Sequence, residues 1–202
     1  MIAVVILAAG SGSRLGGDKL LVDLGGEPLL VRVVRRAVEA ALGPVLVVLP
    51  PGAPGGVLRD ALAGVGGCTL LENPSPGEGM NGSLAIGLRA VPVEHAAAVV
   101  LLGDMPFVAP ERLRAMGERW RRGGVPLVAS RYGEVLAPPA LFDRSLFDEL
   151  CSGPAGDGRG REVTRRHLED AALVDWPPEA LADVDGPGDL AQARERLAAE
   201  WP

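Results

Sequence analysis

The sequence is poor in aromatic residues, cysteine and histidine. Only 3% of its 202 residues are aromatic, whereas 48% are hydrophobic, so the core has to be built from Leu, Val and Ala. Cys68 and Cys151 lie far apart, without C-x-x-C spacing or a nearby histidine partner, which argues against a thiolate metal site. His95 stands just ahead of an apolar run and is expected at the surface. We expect a cytoplasmic protein with two structural thiols.

Positive charge and long apolar runs are also scarce. The net charge of -6 argues against general nucleic-acid binding, which requires a broad basic face. The first apolar run has no basic flank and is ended by Gly10, well short of the roughly 20 residues of a membrane span. Secretion and membrane insertion are therefore not expected. Since the composition shows no break, we expect one domain over residues 1–202.

Apolar runs of strand length alternate with segments of helical periodicity. Strands are predicted at 2–7, 45–49, 68–71, 96–102, 126–130 and 172–176, and helices at 29–41, 57–63, 84–90, 110–122, 143–150 and 190–199. This order predicts a three-layer, Rossmann-like α/β fold, in which helices cover both faces of a mostly parallel sheet. The most hydrophobic strand, 96–102, is expected at its centre. The stretch 152–160 is expected to be the least ordered.

A loop rich in glycine and serine directly follows the first predicted strand. The stretch from Leu7 to Lys19 reads LAAGSGSRLGGDK, and its four glycines allow backbone N–H groups to point inward at an anion. Arg14 and Lys19 add two positive charges. The loop is not a Walker A motif, because no Ser or Thr follows Lys19, and its glycines are spaced one residue too far apart for a dinucleotide fingerprint. Phosphate is the ligand that this composition favours.

Two further loops follow predicted strands. A second glycine-rich loop runs from Asn73 to Ser83 and leads into a helix, at the strand edge where open α/β sheets bind ligands. Asp104 comes immediately after the central strand, where a carboxylate requires a compensating charge such as Mg²⁺. Asp183 and Asp185 lie two residues apart, and either can complete a metal site with Asp104.

Four arginines, 159, 161, 165 and 166, lie close together in the sequence. They either grip an anionic acceptor or form a solvated basic cluster beside a helix, and the sequence assigns no role to any of them. The extended segment 131–142 is expected to wall one side of an acceptor site.

The order of these elements and motifs resembles that of the MobA-like nucleotidyltransferases, in particular the branch of molybdenum cofactor cytidylyltransferases. The motifs that carry the resemblance are LAAGxGxRLG with Lys19, Asn73-Pro with Gly79-Met80 and Ser83-Leu84, LGDMP at 102–106, and DVDxP at 183–187. The resemblance covers nearly the whole chain. It implies the nucleotidyltransferase form of the Rossmann-like fold, and transfer of a nucleoside monophosphate from a triphosphate to a phosphate-bearing acceptor with release of pyrophosphate.

The resemblance also implies individual roles. Lys19 and Arg14 would hold the triphosphate and act in catalysis with Asp104, while Asp104 and Asp185 would bind Mg²⁺. The residues implied in nucleotide binding are Leu7, Ala8, Ala9, Gly10, Ser11, Gly12, Arg14, Lys19, Asn73, Gly79, Met80 and Ser83. Molybdopterin would be the acceptor, and a molybdoenzyme or a chaperone would be a protein partner.

The identity of both substrates rests on fewer residues. Leu-Ala-Ala-Gly is more typical of cytidine users and Leu-Ala-Gly-Gly of guanosine users, so Ala9 favours CTP over GTP. The cytidylyltransferases carry Gly-His-Pro where this chain has Ala137-Pro138-Pro139. A GTP-using guanylyltransferase, a sugar 1-phosphate nucleotidyltransferase and a non-catalytic nucleotide-binding module therefore remain as alternatives.

Overall fold

The structure is a computed structural model that describes residues 1–10, 19–181 and 187–200. Within these residues the strands are β1 (Ile2–Leu7), β2 (Val45–Leu49), β3 (Cys68–Glu72), β4 (Ala97–Leu102), β5 (Leu127–Tyr132), β6 (Val135–Asp143) and β7 (Ala172–Trp176). The helices are α1 (Leu29–Glu39), α2 (Gly52–Leu62), α3 (Met80–Arg89), α4 (Pro110–Arg121), α5 (Phe147–Cys151), α6 (Arg159–Arg166) and α7 (Pro187–Glu200). None of the helices in the described ranges is long and apolar enough to cross a membrane.

The strands form one sheet in the order β3-β2-β1-β4-β6-β5-β7. β6 is antiparallel to both of its neighbours, whereas the other pairs in this sheet are parallel. The predicted mostly parallel sheet is thus confirmed, with β4 near its centre. Six strands consequently end at the same edge of the sheet, which we call the carboxyl edge.

Helices cover both faces of the sheet because side chains alternate along each strand. Ile2, Val4 and Ile6 of β1 face α1, α2 and α4, where they pack with residues such as Leu30, Leu58 and Leu113. Ala3 and Val5 face α3, α5 and α6, represented by Leu84, Leu150 and Val163. Both faces of β1 are therefore buried, as its continuous apolar sequence predicts.

Several boundaries differ from the sequence prediction. α2 begins at Gly52 and α3 at Met80, each several residues earlier than apolar periodicity indicates. The first turn of α2 is glycine-rich and packs through backbone: a Cβ on Gly55 would lie 1.9 Å from the oxygen of Pro50. The stretch 152–160, expected to be poorly ordered, includes the start of α6.

The prediction that His95 lies at the surface is wrong. Its side chain is buried at the edge of the sheet opposite the carboxyl edge, where β4 begins. The backbone carbonyl of His95 accepts a hydrogen bond from Nε of Arg144 at 2.7 Å. A single polar residue between a turn and a strand carries no periodic signal that reports its burial.

Candidate active site

The first loop leaves the sheet from the end of β1. Leu7, Ala8 and Ala9 are buried, with the side chain of Ala8 in one core and those of Leu7 and Ala9 in the other. Gly10 is exposed at the carboxyl edge. A ligand at this point would therefore meet the backbone of residues 7–9 rather than their side chains. Ser11, Gly12 and Arg14, which the sequence assigns to this loop, lie outside the described residues.

Gly103 brings the end of β4 against the end of β1. Its N–H donates to the oxygen of Leu7 at 2.9 Å, which extends the parallel pairing of the two strands by one residue. A Cβ at Gly103 would lie 3.0 Å from Cβ of Ala8 and 3.1 Å from Cδ1 of Leu30. Because glycine has no side chain, the backbone carries Asp104 directly beside the exit of the first loop.

Lys19 and Asp104 meet at this edge although 85 residues separate them. Nζ of Lys19 donates to Oδ2 of Asp104 at 2.8 Å, and the two side chains are 10% and 26% exposed. The other carboxylate oxygen, Oδ1, is buried and has no hydrogen-bond partner among the described residues. A buried anionic oxygen without a partner is costly, so this oxygen is suited to a further cation or donor.

The donor set fits a divalent metal at this oxygen. Mg²⁺ prefers one or two carboxylates and fills its remaining positions with water and phosphate oxygens, so a single protein carboxylate is a sufficient anchor. No cluster of three or more His, Cys, Asp or Glu residues suited to a metal occurs in the described part of the chain. Asp183 and Asp185, the candidates for a second ligand, lie outside it.

The loop from Asn73 to Ser83 is held by its own polar residues. Nδ2 of Asn73 donates to Oγ of Ser83 at 2.9 Å, and Oδ1 of Asn73 accepts from N–H of Ser75 at 2.9 Å. Both Asn73 and Ser83 are buried. These contacts show the two residues supporting the loop, while Met80, which is 42% exposed, presents its side chain to solvent.

A segment that sequence reasoning missed is joined to this loop. Met80 N–H donates to Oδ1 of Asp157 at 2.6 Å, and Asn81 N–H donates to the oxygen of Gly156 at 2.9 Å. In return, N–H of Gly156 donates to the oxygen of Glu78 at 2.6 Å. We call residues 78–81 and 153–159 together the clasp. The signal that could have revealed it is an aspartate set between two glycines, a composition typical of a backbone-capping turn.

The structure separates the four arginines of the basic cluster. Arg166 pairs with Glu149 of α5 and with Glu162 of its own helix α6. Arg159 belongs to the clasp, since its N–H donates to Oδ1 of Asn81 at 3.0 Å. Arg161 and Arg165 are exposed.

Neither cysteine is suited to nucleophilic chemistry. Burial raises the pKa of the Cys68 thiol and of the Cys151 thiol, which keeps both protonated at neutral pH. Both thiols are free and partly buried.

Residues 4–171 match the model of the family described as the MobA-like NTP transferase domain. The chain belongs to this family. Membership makes it a nucleotidyltransferase that uses a nucleoside triphosphate, and it confirms the resemblance to the MobA-like nucleotidyltransferases.

Two curated relatives of this family member act with different nucleotides according to their names. A molybdenum cofactor guanylyltransferase of Rhodobacter capsulatus is 30% identical over 209 residues, which cover 100% of this chain and 99% of the relative. A 3-deoxy-manno-octulosonate cytidylyltransferase of Rhodospirillum centenum is 31% identical over 201 residues, which cover 88% of this chain and 76% of the relative. The relatives therefore agree on nucleotidyl transfer and differ in nucleotide and acceptor.

Solved structures of the same fold support the Rossmann-like nucleotidyltransferase architecture. Rv0371c of Mycobacterium tuberculosis is 25% identical, with a TM-score of 0.82 over 96% of this chain and 97% of that one. A further structure of Rv0371c, in complex with manganese, is 24% identical, with a TM-score of 0.76 over 96% of this chain and 98% of that one.

Proposed function

We propose that this nucleotidyltransferase transfers CMP from CTP to a phosphate-bearing acceptor of the molybdopterin type, with Mg²⁺ as the metal and release of pyrophosphate. The observation that carries the proposal is the pair formed by Lys19 and Asp104 at 2.8 Å. One buried oxygen of Asp104 has no hydrogen-bond partner in the part of the chain that the structure describes. A cation and an unsatisfied carboxylate oxygen side by side suit a metal-bound polyphosphate, because that ligand offers both charges.

Asp104 would hold the metal through its free oxygen. A bound Mg²⁺ supplies neutralisation of the negative charge on the phosphates during transfer. The manganese complex of Rv0371c, a protein of the same fold, motivates a divalent metal in this role. Asp185, outside the described residues, is our candidate for the second carboxylate.

Lys19 would change partners when the triphosphate binds. In the structure its ammonium group is held by Asp104, and a phosphate oxygen is an equivalent anionic acceptor at the same distance. Lys19 would then hold the β- and γ-phosphates together with Arg14. Both cations then stabilise the charge that grows on pyrophosphate as it leaves.

The proposed nucleotidyl transfer does not require a general base. An oxygen of the acceptor phosphate attacks the α-phosphorus, the bond from that phosphorus to the bridging oxygen breaks, and pyrophosphate departs with the electron pair. A phosphate monoester is already anionic at neutral pH, so no proton has to be removed from it. The reaction then requires positioning and charge neutralisation, which is consistent with a site built from Lys19 and Asp104 rather than from histidine.

The preference for CTP rests on Ala9, the third residue of the Leu-Ala-Ala-Gly sequence at the end of β1. Ala9 is buried, so its methyl group acts on the position of the loop backbone rather than by touching a base. GTP is the second candidate, because the guanylyltransferase of Rhodobacter capsulatus matches the full length of the chain.

The acceptor would approach from the side of β6. Val100 of β4 lies opposite Ala140 of β6, so the preceding residues, Ala137 to Pro139, run toward the carboxyl end of β4 and Asp104. The hydroxyl of Tyr132 donates to the oxygen of Pro138 at 2.8 Å and holds this segment. We propose the segment from Ala137 to Pro139 as one wall of the acceptor site. We also propose that the enzyme is cytoplasmic and that it passes its product to a molybdoenzyme or its chaperone.

The test is a matrix of the four nucleoside triphosphates against molybdopterin and a set of sugar 1-phosphates, with Mg²⁺, scored by pyrophosphate release. We expect release with CTP and molybdopterin. Release with GTP instead would overturn the nucleotide, and release with a sugar phosphate would overturn the acceptor. Tight nucleotide binding with no release for any acceptor would favour a non-catalytic nucleotide-binding module.

A further inference from the structure

The N–H groups of the first two residues of α3 are already paired with other groups of the protein. The first N–H groups of a helix are unpaired and carry partial positive charge, so a helix that begins at the ligand edge of a sheet often binds phosphate. Here N–H of Met80 donates to the carboxylate of Asp157, and N–H of Asn81 donates to the oxygen of Gly156. A phosphate at these two donors would have to displace a carboxylate and would be repelled by it.

The clasp leaves little freedom for these groups to move apart. Gly79 has φ +96°, and a Cβ at this position would lie 2.5 Å from the backbone of Gly156. Both polar atoms of the Asn81 side chain also form hydrogen bonds. Oδ1 accepts from N–H of Arg159 at 3.0 Å, and Nδ2 donates to the oxygen of Pro154 at 3.4 Å. The backbone of residues 79–81 is therefore set by residues about 75 positions further along the chain.

We infer that Asp157 is a positioning residue: it caps α3 with a fixed negative charge, keeps the triphosphate on the first loop, and orients residues 79–81 toward the uncharged base and ribose. The inference rests on the proposed function and adds to it a residue that determines nucleotide selectivity. It predicts that the charge and the hydrogen bond of Asp157 affect the KM for the nucleotide and the choice between nucleotides, and not the kcat of the chemical step.

Two substitutions at Asp157 separate its effects. Asp157→Ala removes the acceptor and the charge, and we expect the KM for the nucleotide to rise about tenfold, the loss expected for one charge-assisted hydrogen bond. The kcat should stay within about threefold of the wild type, since Asp157 contacts no reacting group. Asp157→Asn keeps an oxygen that accepts from Met80 N–H, and should recover most of the affinity.

The selectivity between nucleotides distinguishes positioning from mere support of the fold. In Asp157→Ala we expect the ratio of kcat/KM for CTP to that for GTP to change, whereas a general loss of folded protein would lower both values by the same factor. Asp148→Asn is the matched control, because Asp148 is an exposed aspartate on the neighbouring helix α5. It should leave both values unchanged.

Hydrogen exchange of backbone amides gives a second readout that needs no acceptor. In Asp157→Ala the amides of Met80 and Asn81 should exchange faster, and in the wild type CTP with Mg²⁺ should slow exchange across residues 76–83. Unchanged KM and unchanged selectivity in a folded Asp157→Ala variant would overturn the inference while leaving the proposed function standing. If the wild type itself released no pyrophosphate with any substrate pair, the proposed function would fail first. Should Asp157→Ala not fold, Asp157→Lys, which also removes the acceptor, is compared with Asp148→Lys in the same assays.

Discussion

Partly buried charged side chains at the two edges of the sheet have different kinds of partner. At the edge where β4 begins, the guanidinium of Arg144 donates to the carbonyl oxygens of Val91, Pro92 and His95 at 3.3, 2.6 and 2.7 Å. At the carboxyl edge, one oxygen of Asp104 accepts from Lys19, and the other is buried without a hydrogen-bond partner within residues 1–10, 19–181 and 187–200. A charge satisfied by the main chain belongs to the architecture, whereas a charge left incomplete indicates a place for a ligand.

The largest expected effect is on activity at the carboxyl edge. Lys19→Met and Asp104→Asn should each lower kcat by about a hundredfold or more, because each removes charge stabilisation from the transferred phosphates. Both variants should remain folded, although removing one partner of this largely buried pair also lowers the free energy of unfolding. Pyrophosphate release and urea denaturation of the same preparations measure both. Turnover near that of the wild type in either variant would remove this pair from the active site.

The next largest effect is on stability at the opposite edge. Arg144→Met keeps most of the aliphatic packing but removes the donor to Val91 and His95, while the oxygen of Pro92 keeps the N–H of His95. We therefore expect a loss of about 2–4 kcal/mol in the free energy of unfolding. The kcat of the folded fraction should be unchanged. Arg165→Met is the control, since Arg165 is exposed. A stable Arg144→Met enzyme with reduced turnover would break the contrast between the two edges.

Two glycines, Gly43 and Gly10, test the same contrast between a residue that supports the fold and one that supports the ligand. A Cβ on Gly43 would lie 2.2 Å from the oxygen of Ile2, so Gly43→Ala should destabilise the protein by about 1–3 kcal/mol and leave the nucleotide KM unchanged. A Cβ on Gly10 would have no atom of the described residues within 4 Å, so Gly10→Ala should keep the stability and raise the KM. Thermal melting and initial-rate kinetics on both variants test the pair. The reverse pattern would mean that Gly10 supports the fold rather than the ligand.

The smallest expected effect is a pH dependence away from both edges. The hydrogen bond from His167 holds the pKa of Glu149 below its usual value of 4.5, and Arg166 adds to the effect. The ionised form of Glu149 is thus favoured by folding, so its contribution is present above pH 4.5 and is lost as pH falls through the lowered pKa. Glu149→Gln should remove this part of the acid sensitivity. Urea midpoints at pH 6 and below pH 4 measure it, and an identical pH dependence in the variant would contradict the assignment.

Sequence reasoning succeeded where the signal is local. β2 and β7 have the predicted bounds, because each is an apolar or alternating run ended by proline. The neighbourhood of Lys19 and Asp104 also followed from strand order, since both come after parallel strands whose ends share an edge. No local signal reports the contact of Asp157 with Met80, which spans 77 residues. The start of α3 was missed for the same reason, because its cap comes from that distant segment.

The measurement that tests the central claim most directly requires no acceptor. Binding of a non-hydrolysable CTP analogue, titrated by calorimetry with and without Mg²⁺, should depend on the metal in the wild type and in Arg144→Met. In Asp104→Asn the metal should no longer strengthen binding. If Asp104→Asn instead bound the analogue with the same Mg²⁺ dependence as the wild type, the carboxyl end of β4 would not be the metal and nucleotide site.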